Sequence, residues 1–292
     1  DVEFVKVLEN RRTEKELRLL GRHRKTGSDA VMILRRHGFE DDAVDDELKL
    51  LSGIKEIHHN SRFSKHQGTS PSQVTVEVVC PAKQKDILKY SPQVWYMMRE
   101  TPAIYQAITK PMVDSIPESD IQWVYNVLDG KKEQDTVLMK NEDFMCAVDY
   151  KWQDQSNVKG LHLLCMVMER GTLRSVRDLE GSKHLNMLKT MRNLTLIEIQ
   201  KRYHIPSSQV LSYFHYYPSF WHVHVHFTHV SGPSPGDTRA VGKAILLDDV
   251  IDNLTADPNY YQKATITLRL SSVKHRDVLE EAVKRKALSL TT

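Results

Sequence analysis

Residues 222–227 alternate with period two, with His222, His224 and His226 on one phase and Val223, Val225 and Phe227 on the other. Successive side chains of a strand point to opposite faces, so this spacing gathers three imidazoles on one face and turns the apolar residues toward a core. The same period predicts strands elsewhere. Val74, Val76 and Val78 alternate with Thr75 and Glu77 inside residues 72–80, and Ile121, Trp123, Tyr125 and Val127 alternate with Gln122, Val124 and Asn126. Residues 30–34, 136–139, 160–168, 209–217, 221–228 and 264–270 read as further strands, and Asp129-Gly130 is a turn signal. Leu185, Leu188, Met191, Leu194 and Ile197 carry helical spacing and predict a helix over 182–203, ended by Pro206. Helices are also predicted over 45–51, 240–254 and 273–288. Residues 83–109 read as largely helical, with Pro92 and Pro102 as boundaries or kinks, and 58–70 as a polar loop.

These elements describe an α+β protein in two parts, a smaller N-terminal α+β domain over residues 1–95 and a larger domain over 96–292. With 41 basic against 38 acidic residues, the net charge of +3 is too small for a general nucleic-acid binder. A small anion in a local basic pocket remains compatible with it. The three cysteines, Cys80, Cys146 and Cys165, are far apart in sequence and form no metal-binding pair, which points to a reducing compartment, cytoplasmic or nuclear. No apolar run has the length of a membrane span. The opening residues carry no signal-peptide pattern. With no initiator methionine the chain reads as trimmed, which leaves a removed targeting segment open.

Three imidazoles on one face each bring two nitrogens to satisfy, so packing alone is a poor account of them. A structural cluster on a half-exposed sheet is one reading. A metal site is a second, since His-x-His on a strand can supply two zinc ligands, with Asp237, Asp248 or Asp249 available as a third. A third is nucleophilic catalysis at phosphorus, in which one neutral imidazole attacks and its neighbours bind phosphate oxygens and protonate the leaving group.

The run His222-Val-His-Val-His226-Phe resembles the histidine-triad motif of nucleotide hydrolases and transferases, with Thr228 as a small departure at its last apolar position. The longer stretch 214–228, together with 121–129, 149–152 and 78–81, resembles the scavenger mRNA-decapping branch of that superfamily. The resemblance implies a catalytic set of His224 as nucleophile with His226 and His222. It implies a phosphate-binding set of His215, Lys151, Ser219, Phe220 and Lys243; Phe220 stands where a tyrosine is expected, so one hydroxyl contact is missing. For the methylated base it implies Trp123 as the stacking ring, with Glu133, Asp149, Tyr150 and Asn60 around it and Phe63 nearby. A cationic purine stacks well on an indole, and its N–H edge suits carboxylates. Taken without the resemblance, Trp123 reads as a core residue, and Glu133 and Lys151 as solvated charges.

By the same resemblance the larger domain has a histidine-triad fold, an antiparallel sheet with packed helices. The resemblance implies a homodimer with exchanged first domains acting as lids. It implies as substrate a 7-methylguanosine cap dinucleotide or short capped RNA fragment, with no metal or other cofactor required; no membrane partner is expected. A histidine-triad dinucleotide hydrolase or nucleotidyl transferase without cap specificity is the alternative, and an inert cap-binding protein a third.

Overall fold

The computed structural model describes residues 2–11, 15–36, 52–59, 64–69, 74–152, 154–232 and 239–288. They divide into two units, Asp1–Val94 and Trp95–Thr292. In the first, β1 (Val2–Arg11), β2 (Glu16–His23) and β3 (Asp29–Arg36) form an antiparallel meander. A separate hairpin of β4 (Ser52–His59) and β5 (Ser64–Thr69) follows, and β6 (Val74–Val79) then pairs with β3. The meander order is therefore β1-β2-β3-β6, with β1 at an edge. Ala30, Val31 and Ile33 are buried, and the Glu16 carboxylate is gripped by Arg18 at 2.7 Å and Arg35 at 2.6 Å. The helix α1 (Gln84–Tyr90) closes the unit. The expected loop over 58–70 is corrected in part: residues 52–59 and 64–69 pair as strands. The helix expected at 45–51 lies outside the described residues, as do Asn60 and Phe63.

The second unit opens on β7 (Trp95–Glu100) and a helical stretch over 102–114, followed by α2 (Gln122–Leu128). Next come β8 (Val137–Lys140), β9 (Phe144–Val148), β10 (His162–Val167) and the long α3 (Gly181–Tyr203). Then follow β11 (Val210–His215), β12 (His224–His229), β13 (Ala244–Leu246), α4 (Leu247–Ala256) and α5 (Tyr260–Lys263). The last elements are β14 (Ile266–Ser271), paired with β7, and α6 (Arg276–Lys284). The main sheet has the order β13-β11-β12-β10-β9-β8, antiparallel throughout.

Period-two alternation gives this sheet two different faces. Phe144, Cys146, Leu163, Cys165, Val225 and Phe227 share one core with Leu188, Met191 and Ile199 of α3 and Val250 and Leu254 of α4. Met145 and Met166 point the other way and meet Val124, Tyr125 and Leu128 of α2. That second face is also the face of His224 and His226. Cys146 and Cys165, distant in sequence, stand directly opposite each other across β9 and β10 as free thiols.

Four expectations from the pattern are corrected. Residues 121–127 form a helix instead of a strand. Ile121, Val124, Tyr125 and Leu128 are buried at spacings of three and four, while Trp123 is 42% exposed, so it is no core residue. Burying each such side chain is worth roughly 1.5–3 kcal/mol, against at most ~0.7 kcal/mol lost per β-branched or aromatic residue in a helix. Within 83–109, residues 95–100 are a strand bounded by Pro92 and Pro102, with Met98 and Glu100 inward. Within 240–254, a short strand precedes the helix. Within 221–228, the strand begins only at His224. Among the described residues no helix is long and apolar enough to cross a membrane.

A buried polar knot ties these elements together. Glu100, 0% exposed, accepts on one carboxylate oxygen from Arg177 Nη2 at 2.7 Å and from the Tyr216 hydroxyl at 2.5 Å. The hydroxyls of Tyr217, at 3.2 Å, and Thr109 lie on the other oxygen. Arg177 Nη1 donates to the carbonyls of Tyr261 and Ala264, both at 2.7 Å. Removing one partner would strand a buried charge, so Glu100→Ala is expected to cost about 3–5 kcal/mol. Urea denaturation measures this, and a loss under ~1 kcal/mol would show that the pair is dispensable.

Candidate active site

His224 and His226 lie on β12 between β10 and β11, where Met166 faces His224 and His226 is flanked by Leu164 and Tyr213. Every side chain of β12 is buried. His222 precedes the strand, buried to 1%, and its Nε2–H donates to the Val167 carbonyl at 2.8 Å. Its own carbonyl accepts from His224 Nδ1 at 2.7 Å. That bond fixes the His224 proton on Nδ1 and leaves the Nε2 lone pair free, because the tautomer of an imidazole follows the partner of its other nitrogen. His224 Nε2 and His226 Nε2 are both buried with no hydrogen-bond partner.

Burial is the main cause that lowers His224 to about 4, with the bond to the His222 carbonyl acting in the opposite direction. Burial also pushes His226 well below its ordinary value, helped by the neighbouring imidazoles of His224, His215 and His162. His222 is lowered by burial too. The rings are therefore neutral near pH 7, the form that serves as nucleophile, acceptor or metal ligand.

Other residues converge on this row. His215, at the end of β11, has its ring 4.4 Å from that of His226, and Tyr213 stacks on His226 at 5.2 Å. Phe220 lies flat on His224, with ring centroids 4.0 Å apart and planes 14° apart, and meets Trp123 edge-on at 4.9 Å. Trp123 thus reaches the triad through one aromatic ring. Asp149, just beyond β9, accepts from the Lys151 backbone at 2.9 Å and from Lys151 Nζ at 3.4 Å. His162, at the start of β10, has Nε2 at 3.7 Å from the Asp149 carboxylate and 3.2 Å from His226 Nδ1.

The remaining candidates are more loosely placed. Tyr150 is 80% exposed, with Lys151 Nζ 5.5 Å above its ring. Glu133 is exposed, with a left-handed φ of 56° in the turn before β8. Ser219 is exposed in the loop 216–223, and the Lys243 carbonyl accepts from Tyr216 N at 2.8 Å, beside the end of β11. The sequence reading missed His162. Its one signal is phase, since it falls two and four residues before Leu164 and Met166 on the triad face.

Among the described residues, two sets of groups have zinc-type ligand chemistry. One nitrogen each of His215, His224 and His226 lie within 4.8 Å of one another, as do a carboxylate oxygen of Asp149 and one nitrogen each of His162 and His226. Asp248 and Asp249 belong to neither set; they are exposed in the first turn of α4, and Asp248 pairs with Arg192. Asp237 lies outside the described residues.

An antiparallel sheet with helices on both faces, carrying a row of neutral imidazoles of fixed tautomer, defines a histidine-triad protein. Comparison with known proteins narrows the class. The family model described as "Scavenger mRNA decapping enzyme (DcpS) N-terminal" matches residues 1–93, and "Scavenger mRNA decapping enzyme C-term binding" matches 122–242. The m7GpppX diphosphatase of Caenorhabditis elegans is 32% identical over 293 residues, covering 97% of this chain and 92% of the worm protein. That of Schizosaccharomyces pombe is 32% identical over 283 residues, covering 92% and 91%. That of Bos taurus is 37% identical over 254 residues, covering 84% and 73%. This chain belongs to the scavenger mRNA decapping enzyme family.

The buried imidazoles tie stability to pH. His162, His222, His224, His226 and His275 are all held below their ordinary 6.5, mainly by burial, with His224 and His275 at about 4. The folded state therefore binds fewer protons than the unfolded one between these values. Stability is full above about pH 6.5 and falls as pH drops toward about 4, by ~1.4 kcal/mol per pH unit for each proton of difference. Thermal melts from pH 7.5 to 4.5 should show a steadily falling midpoint. A flat profile would mean that the imidazoles are not held neutral.

Proposed function

We propose that this protein hydrolyses the triphosphate bridge of 7-methylguanosine cap dinucleotides and short capped RNA fragments, with His224 as nucleophile. The observation that carries the reading is the buried, unpartnered Nε2 of His224, opposite an Nδ1–H anchored to the His222 carbonyl at 2.7 Å. The Nε2 lone pair attacks the phosphorus joined to 7-methylguanosine. The bond from that phosphorus to its bridging oxygen breaks, and the electron pair leaves with a nucleoside diphosphate or a 5′-diphosphate fragment. Water then attacks the phosphorus of the adduct, the N–P electron pair returns to Nε2, and 7-methylguanosine monophosphate departs.

His226, His215, Lys151, Ser219 and Lys243 meet the phosphate oxygens in this reading, and Phe220 excludes water from the face of His224 that it covers. Trp123 offers an exposed indole to the cationic base, with Glu133, Asp149 and Tyr150 as the surrounding base contacts. The names of the relatives support the cap as substrate. The homodimer with exchanged first domains is part of the proposal. It is supported by Phe4, Val5 and Val7, all exposed on the edge strand β1, where unpaired backbone and apolar side chains invite a second chain. The free thiols support a reducing compartment, cytoplasmic or nuclear.

The test is hydrolysis of 7-methylguanosine-capped dinucleotide against its unmethylated counterpart, with EDTA present. Wild type should cleave the methylated substrate selectively, and His224→Asn should lose more than ~10⁴-fold in kcat. Trp123→Ala should cost up to about 30-fold in affinity for the methylated base, the worth of ~2 kcal/mol of cation–π stacking. The acid limb of kcat/KM, which reports the free enzyme, should lie near 4, well below the ordinary 6.5. Equal cleavage of both substrates would favour a general dinucleotide hydrolase, cleavage abolished by EDTA a metal enzyme, and no cleavage at all a binding protein. Separately, sedimentation should show a dimer that Val5→Glu weakens, and a monomeric wild type would remove the exchange.

A further inference from the structure

His162 faces the triad from the neighbouring strand. It stands opposite Thr228 in the β10–β12 register, two positions from the Leu164–His226 pair, and its ring meets that of His226 edge-on at 5.4 Å. It is 6% exposed, although it sits in a run of apolar strand residues. Its Nε2 lies 3.2 Å from His226 Nδ1, a hydrogen bond in which one nitrogen must hold the proton and the other the lone pair.

The surroundings decide which. The Asp149 carboxylate lies 3.7 Å from the same His162 Nε2. A lone pair there would face a negative oxygen at short range, which is repulsive, whereas an N–H there is attracted both to the carboxylate and to His226 Nδ1. Lys151 Nζ, 3.4 Å from the same carboxylate oxygen, helps hold the Asp149 side chain in place. His162 is therefore the donor and His226 Nδ1 the acceptor. A neutral imidazole accepting at Nδ1 carries its proton on Nε2, and His226 Nε2 is buried without a partner. The two triad rings then present opposite functions, a lone pair at His224 Nε2 and an N–H at His226 Nε2.

We propose that His162 is a positioning residue for the reaction: by donating to His226 Nδ1 it holds His226 as an Nε2–H donor toward the phosphate oxygens of the substrate. In the reverse tautomer His226 would turn a lone pair toward a polyanion, and the developing negative charge on phosphorus-bound oxygens would lose a donor. Asp149 acts in the same chain by setting the proton on His162, which gives its carboxylate a role besides any contact with the base. The kinetic consequence rests on the proposed hydrolase reading; the tautomer itself does not.

The experiment pairs two variants with two readouts. His162→Phe keeps an aromatic ring and removes the donor, and His162→Gln restores an amide N–H close to the position of the imidazole Nε2. Long-range ¹H–¹⁵N spectra of ¹⁵N-histidine-labelled protein read the tautomer of His226 without substrate. Steady-state hydrolysis of 7-methylguanosine-capped dinucleotide separates kcat from KM. In wild type His226 should show the Nε2–H tautomer. In His162→Phe that signal should shift toward a mixture, and kcat should fall at least ~10-fold, short of the ~10²–10³ that deleting an oxyanion donor costs. KM should change far less, and His162→Gln should recover most of kcat and the wild-type tautomer. An Nδ1–H tautomer in wild type overturns the proposal, as does a His162→Phe enzyme within twofold of wild type. Equal losses in both variants with an unchanged tautomer also overturn it, because His162 would then act through packing alone. If wild type proves inactive on the cap, the hydrolase reading fails while the spectra still decide the tautomer.

Discussion

The carboxylate of Glu100 and the guanidinium of Arg177, paired at 2.7 Å where no water reaches, hold the chemistry-bearing part of the second unit in place. A buried pair of this kind gains little over a hydrophobic substitute, but it is directional, so it specifies one arrangement among several that a greasy core would tolerate. The direction matters here. The pair draws in the hydroxyls of Tyr216 and Tyr217, the two residues after His215, and so anchors the start of the loop that leads to His222. Arg177 also clamps the carbonyls of Tyr261 and Ala264, which sets the path into β14 and, through its pairing with β7, returns to Glu100 itself. The knot closes on itself, which is why one missing oxygen affects several elements.

Given that anchor, the triad's properties follow from how little water it sees. A row of imidazoles on an open sheet face would titrate near their ordinary values and let either nitrogen hold the proton. On β12 the face is covered, so each ring is driven neutral and an N–H left without an acceptor is costly. His222 finds the Val167 carbonyl and His224 finds the carbonyl of His222. Backbone carbonyls do not titrate, so these tautomers stay fixed across the pH range in which the rings are neutral. The cost is desolvation, which depresses the basicity of His224, and its return is a neutral imidazole with a free lone pair, the form that a nucleophile needs.

How much of this was legible depends on whether the signal was local. His224 and His226 were found because period two is a property of neighbouring residues, and the strand's core partners Val225 and Phe227 came with it. Residues 121–128 misled because nearly every position is apolar or aromatic, so both periods fit; only the burial of Val124 against Met145 and Met166, contributed by distant strands, picks the helix. The strand at 95–100 could have been read from its bounding prolines and the alternation of Met98 and Glu100, but an inward glutamate looks like a solvated one until its arginine, 77 residues away, is in place. His162 is the strongest case. A single histidine in an apolar strand says nothing by itself, and its partner on β12 lies 64 residues further on.

Phe220 shows how a change that looks like a loss in sequence can take on another part in the structure. A phenylalanine where a tyrosine is expected gives up a hydroxyl that could reach a phosphate. Yet its ring lies nearly parallel to His224 at 4.0 Å and edge-on to Trp123 at 4.9 Å, so it touches both the buried imidazole and the exposed indole. A phenol in that stack would bring a polar group to be hydrated or paired beside an imidazole whose chemistry depends on dryness. The hydrocarbon ring asks for nothing and covers one face of His224, leaving the Nε2 lone pair, which points in the ring plane, uncovered. The same ring carries contact from the indole of Trp123 to the imidazole of His224. In the proposed reading, a purine seated on Trp123 would then press, through Phe220, on the imidazole proposed as the nucleophile.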